Sequence, residues 1–366
     1  MSEAHISAEN LSEEQRTVVV YGAYGHTGRF VVAELRERGF APVLAGRDER
    51  KLKELAAESG DGLPVRAAAV DEPEALDRAL AGTAAVINCA GPFATTAAPL
   101  VEAALRAGIP YVDVAAEIEA NADTFARFDE PARAAGTVVL PAMAFYGGLG
   151  DLLVTAAMGE WTEADEVRVA YGLDSWHPTA GTRAAGAASR ERRGGRRLVF
   201  TDGRLQHRDG TPPTREWGFP EPLGRRAVID EFTMADVVTV PSHLAVREVR
   251  TLMTVEAAGD LATADTPPPV PDPADPAGRS AQRFLVDVRV RAGGQERRAV
   301  ASGRDIYAVT APLAVEAVAR LLTDPESGRP TAGVHAAGAL FDAPDFLHAL
   351  APHLTVRFEA GSVDAP

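Results

Sequence analysis

The chain has 366 residues, enough for two domains of ordinary size, and its hydrophobic content of 46% is typical of a globular protein. A formal net charge of −15 disfavours a nucleic acid or an anionic membrane surface as partner. The sequence has no apolar run long enough for a membrane span, no signal-peptide pattern in residues 1–16, and a single cysteine. These features predict a cytoplasmic protein with a flexible tail at residues 1–16.

The first motif combines a strand, a glycine-rich turn and a helix. The apolar run Val18–Val20 leads to three glycines spaced by three between residues 22 and 28, and an amphipathic stretch follows over Arg29–Arg38. In such a unit the glycines permit the turn, the approach of a pyrophosphate and the packing of the helix on the strand. The residues predicted to hold the phosphates of a dinucleotide are Gly22, Tyr24, Gly25, His26, Thr27 and Gly28.

The end of the second strand indicates which dinucleotide is bound. Pro42–Ala45 leads to Gly46 and Arg47, where an NAD-binding unit usually carries an acidic residue for the ribose hydroxyls. A guanidinium at that position suits a 2′-phosphate, and Lys51 lies one helical turn further on. Asp48 is the alternative ribose ligand, although it is also a suitable N-cap for the next helix. We therefore predict NADP(H) as the cofactor, with Gly46, Arg47 and Lys51 at its adenosine phosphate.

Strands and helices alternate as far as residue 150, which predicts a Rossmann-type α/β domain over 17–150 with a doubly wound parallel sheet. The predicted strands are 64–70, 84–88, 111–115 and 137–140, and the predicted helices are 74–80, 99–107 and 124–135. Ligands of such sheets lie outside the carboxyl ends of the strands. Asp71 is expected to border the adenine or to cap a helix. The residues expected beside the nicotinamide are Asn88, Ala90, Gly91 and Pro92.

The pattern changes after Gly150, and residues 151–330 predict a second, α+β domain with a mixed or antiparallel sheet for substrate binding and dimerisation. Its predicted strands are 167–173, 198–201, 237–240, 284–291 and 298–302, and its predicted helices are 151–158 and 181–193. A loop rich in proline and aspartate occupies 263–278. Two further helices are predicted at 311–322 and 343–350.

Four segments together resemble the saccharopine dehydrogenase-like oxidoreductases, a family that includes saccharopine reductases and trans-acting enoyl reductases. They are Gly22-Ala-Tyr-Gly-His-Thr-Gly28, Ala45-Gly-Arg47, Asn88-Cys-Ala-Gly-Pro-Phe93 and Tyr111-Val-Asp-Val-Ala-Ala-Glu117, with looser similarity at Gly303–Tyr307 and Ala332–Val334. The resemblance implies a Rossmann domain completed by helices from about 331–350, and NAD(P)-dependent hydride transfer to C=N or C=C bonds. It also implies a homodimer.

Three residues are candidate proton donors for such a reduction: Glu117, Tyr146 and His177. Each has a structural alternative, namely a helix cap, domain packing and a surface turn. No tyrosine is followed four residues later by lysine, so the short-chain dehydrogenase mechanism is excluded. The eight histidines show no metal-ligand spacing, so no metal is expected.

The substrate is less well defined by the sequence. Phe93, Phe145 and Trp176 are candidates for an apolar pocket wall, with core packing as the alternative. The arginine-rich segment 190–197 predicts either a solvated helix face or capture of an anionic or thioester-linked substrate. The sequence thus predicts an NADPH-dependent enoyl- or imine-reductase. A non-catalytic NADP-binding sensor or scaffold on the same fold is the alternative.

Overall fold

The computed structural model describes residues 11–60, 62–323 and 331–360, which form two compact units. The first unit contains the described chain up to Ala144 and also Thr310–His335. The second contains Phe145–Val309 and the described chain from Ala336 onward. Residues 1–10 of the predicted tail lie outside the described residues, and a short helix occupies its end.

The first unit is built on a sheet whose paired strands are all parallel, in the order β15-β6-β5-β4-β1-β2-β3. In chain order its strands are β1 Thr17–Tyr21, β2 Ala41–Gly46, β3 Val65–Ala67, β4 Ala85–Asn88, β5 Tyr111–Asp113, β6 Val138–Leu140 and β15 Gly333–Val334. Its helices are α1 Glu13–Arg16, α2 His26–Glu37, α3 Glu49–Glu58, α4 Pro73–Leu80, α5 Phe93–Ala107, α6 Ile118–Ala135 and α11 Thr310–Thr323. Because β1 lies between β2 and β4, the strand order reverses beside it, which is where ligands bind in this fold class.

The second unit is built on a mixed sheet in the order β10-β11-β12-β7-β13-β14-β16, with β8 and β9 attached to β12. Its strands are β7 Glu163–Leu173, β8 Arg197–Thr201, β9 Arg204–Arg208, β10 Thr214–Gly218, β11 Arg225–Asp230, β12 Ala245–Thr254, β13 Arg283–Ala292, β14 Gln295–Arg304 and β16 Leu354–Ala360. Its helices are α7 Gly150–Met158, α8 Ala180–Arg192, α9 Asp236–Thr239, α10 Val255–Ala262, α12 Ala337–Leu340 and α13 Ala343–Ala349. Only the β12–β7 pair is parallel among these described pairs. The predicted fold class, a Rossmann-type domain plus a mixed-sheet domain, is confirmed.

Two predicted strands of this fold are wrong in type or length. Residues 237–240 form the end of helix α9 and the start of a 3₁₀ turn, not a strand, because turn hydrogen bonds close onto Met234 and Ala235. The β-branched residues there suited a strand, but tertiary packing overrides this weak preference. The strand predicted over 64–70 is limited to Val65–Ala67, since only three residues pair with β2.

The C-terminal part of the chain is shared between the two units at a different residue from the one predicted. Helix α11 packs on α2 of the first unit, where Arg38 forms buried ion pairs with Glu34 at 2.7 Å and with Glu316 of α11. Strand β15 extends the parallel sheet beside β6. Helices α12 and α13, however, pack on α7 in the second unit, so the segment predicted over 331–350 to complete the first domain contributes only its first residues there. No helix among the described residues has both the length and the apolar character that a membrane span requires.

Candidate functional site

The glycine-rich turn joins β1 to α2 through backbone contacts. The Gly22 amide donates to the Ala45 carbonyl at 2.8 Å, and the Gly25 amide donates to the Gly22 carbonyl at 2.9 Å. Gly25 occupies the N-cap position of α2 and, having no side chain, leaves the helix without a side-chain cap. The helix therefore begins without a side-chain oxygen at the positive end of its dipole, and such an end attracts an anion.

The turn packs so closely that glycine is required at two of its positions. Gly22 has a φ of 82°, and a Cβ there would lie 2.9 Å from the Cβ of Ala90. A Cβ on Gly28 would overlap the carbonyl oxygen of Gly22. Because these two residues have no side chain, α2 and the segment after β4 pack closely against the end of β1. The surface of the turn consists of backbone atoms. Such a cradle fits a pyrophosphate.

The end of β2 presents cationic groups beside this turn. Gly46 packs against the Tyr24 ring, and the exposed Arg47 has no ion pair or hydrogen bond with any described residue. The Lys51 ammonium lies 5.6 Å from the centre of the Tyr24 ring and 3.8 Å from the Asp48 carboxylate. Asp48 accepts a hydrogen bond from the Lys51 amide at 3.1 Å, which confirms its interpretation as the N-cap of α3.

Asp71 is exposed beyond β3, near the end of β1. The Tyr21 hydroxyl donates to the Ala68 carbonyl at 2.9 Å, and burial followed by the proximity of Tyr24 raises the pKa of Tyr21 to about 12, with Asp71 adding to the rise. Glu72 occupies the N-cap position of α4, so the helix-cap alternative for Asp71 is wrong. The position of Asp71 beside an adenine stays a prediction.

A buried polar network connects the carboxyl ends of β4 and β5. Asn88 donates to the Tyr111 hydroxyl at 3.1 Å, and that hydroxyl donates to Asp113 at 2.9 Å. The other Asn88 side-chain atom, Oδ1, accepts from the amide of Ala90 at 3.0 Å. Asp113 also accepts from the amide of Ala142 at 2.8 Å. The network therefore holds the backbone after three neighbouring strands, including the segment that contacts Gly22, in one conformation.

Burial raises the pKa of Asp113 to about 6, against the lowering effect of its amide and Tyr111 hydrogen bonds. The strand pattern predicts that Asn88 and Asp113 lie at the same edge of the sheet, but it does not predict that the Tyr111 hydroxyl joins them. Gly91 and Pro92 follow directly and lead into α5.

Glu117 caps a helix other than its own. Its two carboxylate oxygens accept the amides of Phe93 at 2.6 Å and Ala94 at 3.0 Å, at the start of α5. Burial raises the pKa of Glu117, and the two amide hydrogen bonds oppose the rise. The cap explains why α5 begins at Phe93 rather than at the predicted residue 99.

Tyr146 lies in the second unit within an aromatic cluster. Its ring is 4.8 Å from Phe145, 4.9 Å from Tyr171 and 5.2 Å from Trp176, between ring centres. The hydroxyl is buried, and none of the described residues forms a hydrogen bond with it. Burial, followed by the proximity of Tyr307 and Asp236, raises the pKa of Tyr146 well above its ordinary value. The phenol is therefore neutral, with an uncommitted proton.

His177 lies in the loop after β7, also in the second unit. The Tyr307 hydroxyl donates a hydrogen bond to the His177 carbonyl oxygen at 3.3 Å. The same hydroxyl accepts a hydrogen bond from the Trp176 indole N–H at 3.3 Å. Trp176, the residue before His177, also packs on the Tyr146 ring at 5.2 Å between ring centres. Tyr307 belongs to a segment of looser family similarity, but its contact with the His177 carbonyl, 130 residues away in the chain, is not visible in the sequence.

The arginine-rich segment is used partly for structure. Arg197 pairs with Glu231 at 3.2 Å, and Arg193 donates to Ser189 at 2.7 Å. Helix α8 buries only Ser189 among its residues, as a solvated helix face would. Of the predicted pocket aromatics, Phe93 lies in the first unit, and Phe145 is fully buried in the second. No cluster of potential metal ligands occurs within the described ranges.

The parallel sheet, its strand-order reversal and the open glycine turn define a Rossmann-type dinucleotide-binding domain. The family model described as saccharopine dehydrogenase NADP binding domain matches residues 18–140. This part of the chain is thus similar to that family, and the resemblance found in the sequence is confirmed for residues 18–140.

Curated relatives match over a little more than a third of the chain. A probable mitochondrial saccharopine dehydrogenase-like oxidoreductase from Arabidopsis thaliana is 30% identical over 142 residues, 35% of this chain and 31% of its own length. A trans-acting enoyl reductase from Mycobacterium tuberculosis is 26% identical over 148 residues, 39% of this chain and 35% of its own length. The matched region thus spans about a third of the length of these relatives.

Solved structures extend the likeness in fold to most of the chain. The apo saccharopine dehydrogenase (L-Glu forming) from Saccharomyces cerevisiae superimposes with a TM-score of 0.63, covering 94% of this chain and all of that one at 13% identity. An amine dehydrogenase from Mycobacterium smegmatis gives a TM-score of 0.50 at 12% identity, covering 89% and 96% of the two chains.

Proposed function

We propose that the protein is an NADPH-dependent oxidoreductase that reduces a C=C or C=N bond of a small or carrier-bound metabolite. The observation that carries the cofactor choice is the end of β2. There, Gly46 stands in place of an acidic residue and Arg47 is exposed without an ion pair to any described residue. A 2′-phosphate would supply the missing anion. The oxidoreductases and enoyl reductase among the relatives support the reaction class.

The residues of the first unit would bind the cofactor at four of its parts. The turn from Gly22 to Gly28 would hold the pyrophosphate, and Arg47 with Lys51 would hold the 2′-phosphate. Asp71 would border the adenine, and the segment from Asn88 to Pro92 would border the nicotinamide. The bound nicotinamide supplies the hydride. The Asn88–Asp113 network positions the backbone of this last segment before the cofactor arrives.

The proposed proton donors differ in how free their protons are. Glu117 is committed to two amides, and protonation of its carboxyl would weaken the cap on α5. The Tyr146 hydroxyl is neutral and has no partner among the described residues, and the His177 imidazole lines a pocket. We therefore favour Tyr146 and His177 over Glu117 as proton donors.

The test is oxidation of NADPH by the full chain against two substrate panels, enoyl thioesters and cyclic imines. Transfer of deuterium from 4-deuterated NADPH to a product carbon is the expected result, and NADH is expected to react more slowly. Comparing Tyr146→Phe, His177→Ala and Glu117→Gln in single-turnover experiments would assign the proton donor. If none of them slows transfer, the proton comes from water and the assignment is wrong.

A second candidate is a non-catalytic NADP-binding sensor or scaffold, which the commitment of Glu117 to helix capping favours. It predicts tight NADPH binding by fluorescence with no turnover on either panel. Cytoplasmic location and a homodimer stay predictions, and light scattering after size-exclusion chromatography measures the second.

A further inference from the structure

A pocket of about 220 Å³ opens within the second unit, beneath the proline-rich loop. Trp176, Pro267, Pro269, Val270 and Ile306 supply apolar walls, and His177 lies among them. Among the lining residues there is no aspartate, glutamate, lysine or arginine. The pocket therefore offers contact area to an apolar group, and it has no permanently charged side chain to hold an anion.

The floor of this pocket is fixed by hydrogen bonds to the Tyr307 hydroxyl. Trp176 donates its indole N–H to it at 3.3 Å, and the Thr182 hydroxyl lies 3.0 Å away. The Trp176 amide donates to the Asp260 carboxylate at 2.8 Å. The indole plane thus keeps one orientation without a ligand, which lowers the entropy lost on binding.

The roof is fixed as well, although the loop has no regular secondary structure over most of its length. The Thr266 hydroxyl donates to the Asp260 carbonyl at 2.6 Å, and Arg304 pairs with Asp272 at 2.8 Å. Between these anchors lie Pro267, Pro269 and Val270. Proline has no amide N–H to satisfy and little backbone freedom to lose, so this stretch can present an apolar surface at small cost.

Val270 is the most exposed of the large apolar side chains among the described residues, with 68% of its surface accessible. A side chain of this type left open at the edge of an apolar pocket gains free energy in proportion to the apolar area that a ligand covers. The imidazole of His177, which has no hydrogen bond with the described residues, is a polar group available to a ligand at the same pocket.

We propose that this pocket binds an uncharged apolar group of the substrate, either a benzene-sized ring or a short branched acyl chain, beside the His177 imidazole. The proposal rests on the proposed reductase function, because only that function makes the bound molecule a substrate. The size follows from volume, because an engineered protein cavity of about 150 Å³ accommodates benzene. A carboxylate or phosphate is disfavoured, since the lining has no lysine or arginine to pair with it and burying an unpaired charge is costly.

The proposal is tested by binding alone, with the full chain and no cofactor. Titration of 4-fluorobenzyl alcohol followed by ¹⁹F NMR is expected to show saturable binding in the millimolar range or tighter. Val270→Asp is expected to weaken it at least tenfold, and Ala281→Phe, which fills the pocket, to abolish it. The matched control Val255→Asp changes another exposed valine, outside the pocket, and is expected to leave binding within twofold of the unmodified chain.

Charge selectivity gives the second arm, in which 4-fluorobenzoate is expected to bind at least tenfold more weakly than the alcohol. Absence of saturable binding, equal effects of the two valine variants, or preference for the benzoate would each overturn the proposal. Because the assay contains no NADPH, its failure is distinct from a failure of the reductase, which the separate NADPH oxidation assay reports.

Discussion

The Tyr171 hydroxyl lies 2.9 and 3.0 Å from the two carboxylate oxygens of Asp236, and both side chains are fully buried in the second unit. Burial raises the pKa of Asp236 from 3.8 to about 7, and the hydrogen bond from Tyr171 opposes the rise only in part. A Cβ on Gly150 would overlap the same carboxylate, so α7 begins with the one residue that leaves room for it.

This carboxyl makes the stability of the protein depend on pH. Its folded pKa lies above its unfolded value, so the folded state binds more protons between about pH 4 and pH 7. The free energy of unfolding should therefore fall as pH rises through that window, by about 2–3 kcal/mol between pH 5 and pH 8 for this group. Urea denaturation at pH 5 and pH 8 measures this difference in the free energy of unfolding. The difference should be smaller by that amount in Asp236→Asn than in the unmodified protein.

A surface change of equal charge is the control for that experiment. Asp202→Asn alters an exposed carboxylate and should leave the pH dependence as it is. Asp113, whose pKa burial also raises to about 6, should preserve part of the slope in Asp236→Asn. A slope identical to that of the unmodified protein would contradict the pKa assigned to Asp236.

Tyr146→Phe should stabilise the second unit. The change removes a buried hydroxyl that lacks a partner among the described residues, and an unsatisfied buried group costs about 1–3 kcal/mol. We expect a higher urea midpoint, together with slower reduction if the phenol is the proton donor. Tyr171→Phe is the comparison, because it removes a made hydrogen bond and should destabilise. A lower midpoint for Tyr146→Phe would show that its hydroxyl has a structural partner.

Gly28→Ala should both destabilise the first unit and weaken dinucleotide binding. Its methyl group would overlap the Gly22 carbonyl oxygen, and overpacking of this kind costs about 1–3 kcal/mol. Gly186→Ala is a matched control in helix α8, where the new methyl group would meet nothing within 4 Å. That change should be neutral or stabilising by up to about 1 kcal/mol, because alanine is the better helix former. Equal losses in the two variants would refute close packing of the turn.

Arg47→Ala should weaken NADPH binding by about 1–3 kcal/mol and leave NADH binding nearly unchanged, since only NADPH carries the 2′-phosphate. Fluorescence titration with both cofactors measures the difference. Arg50→Ala removes an exposed arginine of α3 that already pairs with Glu54, and serves as the control. Similar affinity of the unmodified protein for both cofactors would contradict the assigned 2′-phosphate contact.

Local patterns sufficed wherever neighbouring residues determine the structure. The β1–turn–α2 unit follows from an apolar run and three evenly spaced glycines, and the N-cap role of Asp48 follows from local capping chemistry. Each depends on contacts within a few positions, which a sequence displays directly.

Other features depend on residues distant in the chain. The start of α5 is set by Glu117, 24 residues later, and the conformation of residues 237–240 is set by the packing around Asp236. The predicted proton donors Glu117, Tyr146 and His177 each follow a strand in the sequence. This position does not predict which groups form hydrogen bonds with their side chains. Only the coordinates show that Glu117 is committed and that Tyr146 has no partner among the described residues.

The sequence by itself determined the strand–turn–helix unit on which the cofactor prediction rests, because a glycine turn and its flanking strand and helix are formed by neighbouring residues. Tertiary structure decided which polar groups are buried, paired or open, because desolvation and long-range hydrogen bonds arise only when distant segments meet. The residues next to Asp236 and Tyr307 in the chain do not predict the roles of these two side chains. Burial raises the pKa of Asp236 to about 7, and the Tyr307 hydroxyl accepts the Trp176 indole N–H at the floor of the apolar pocket.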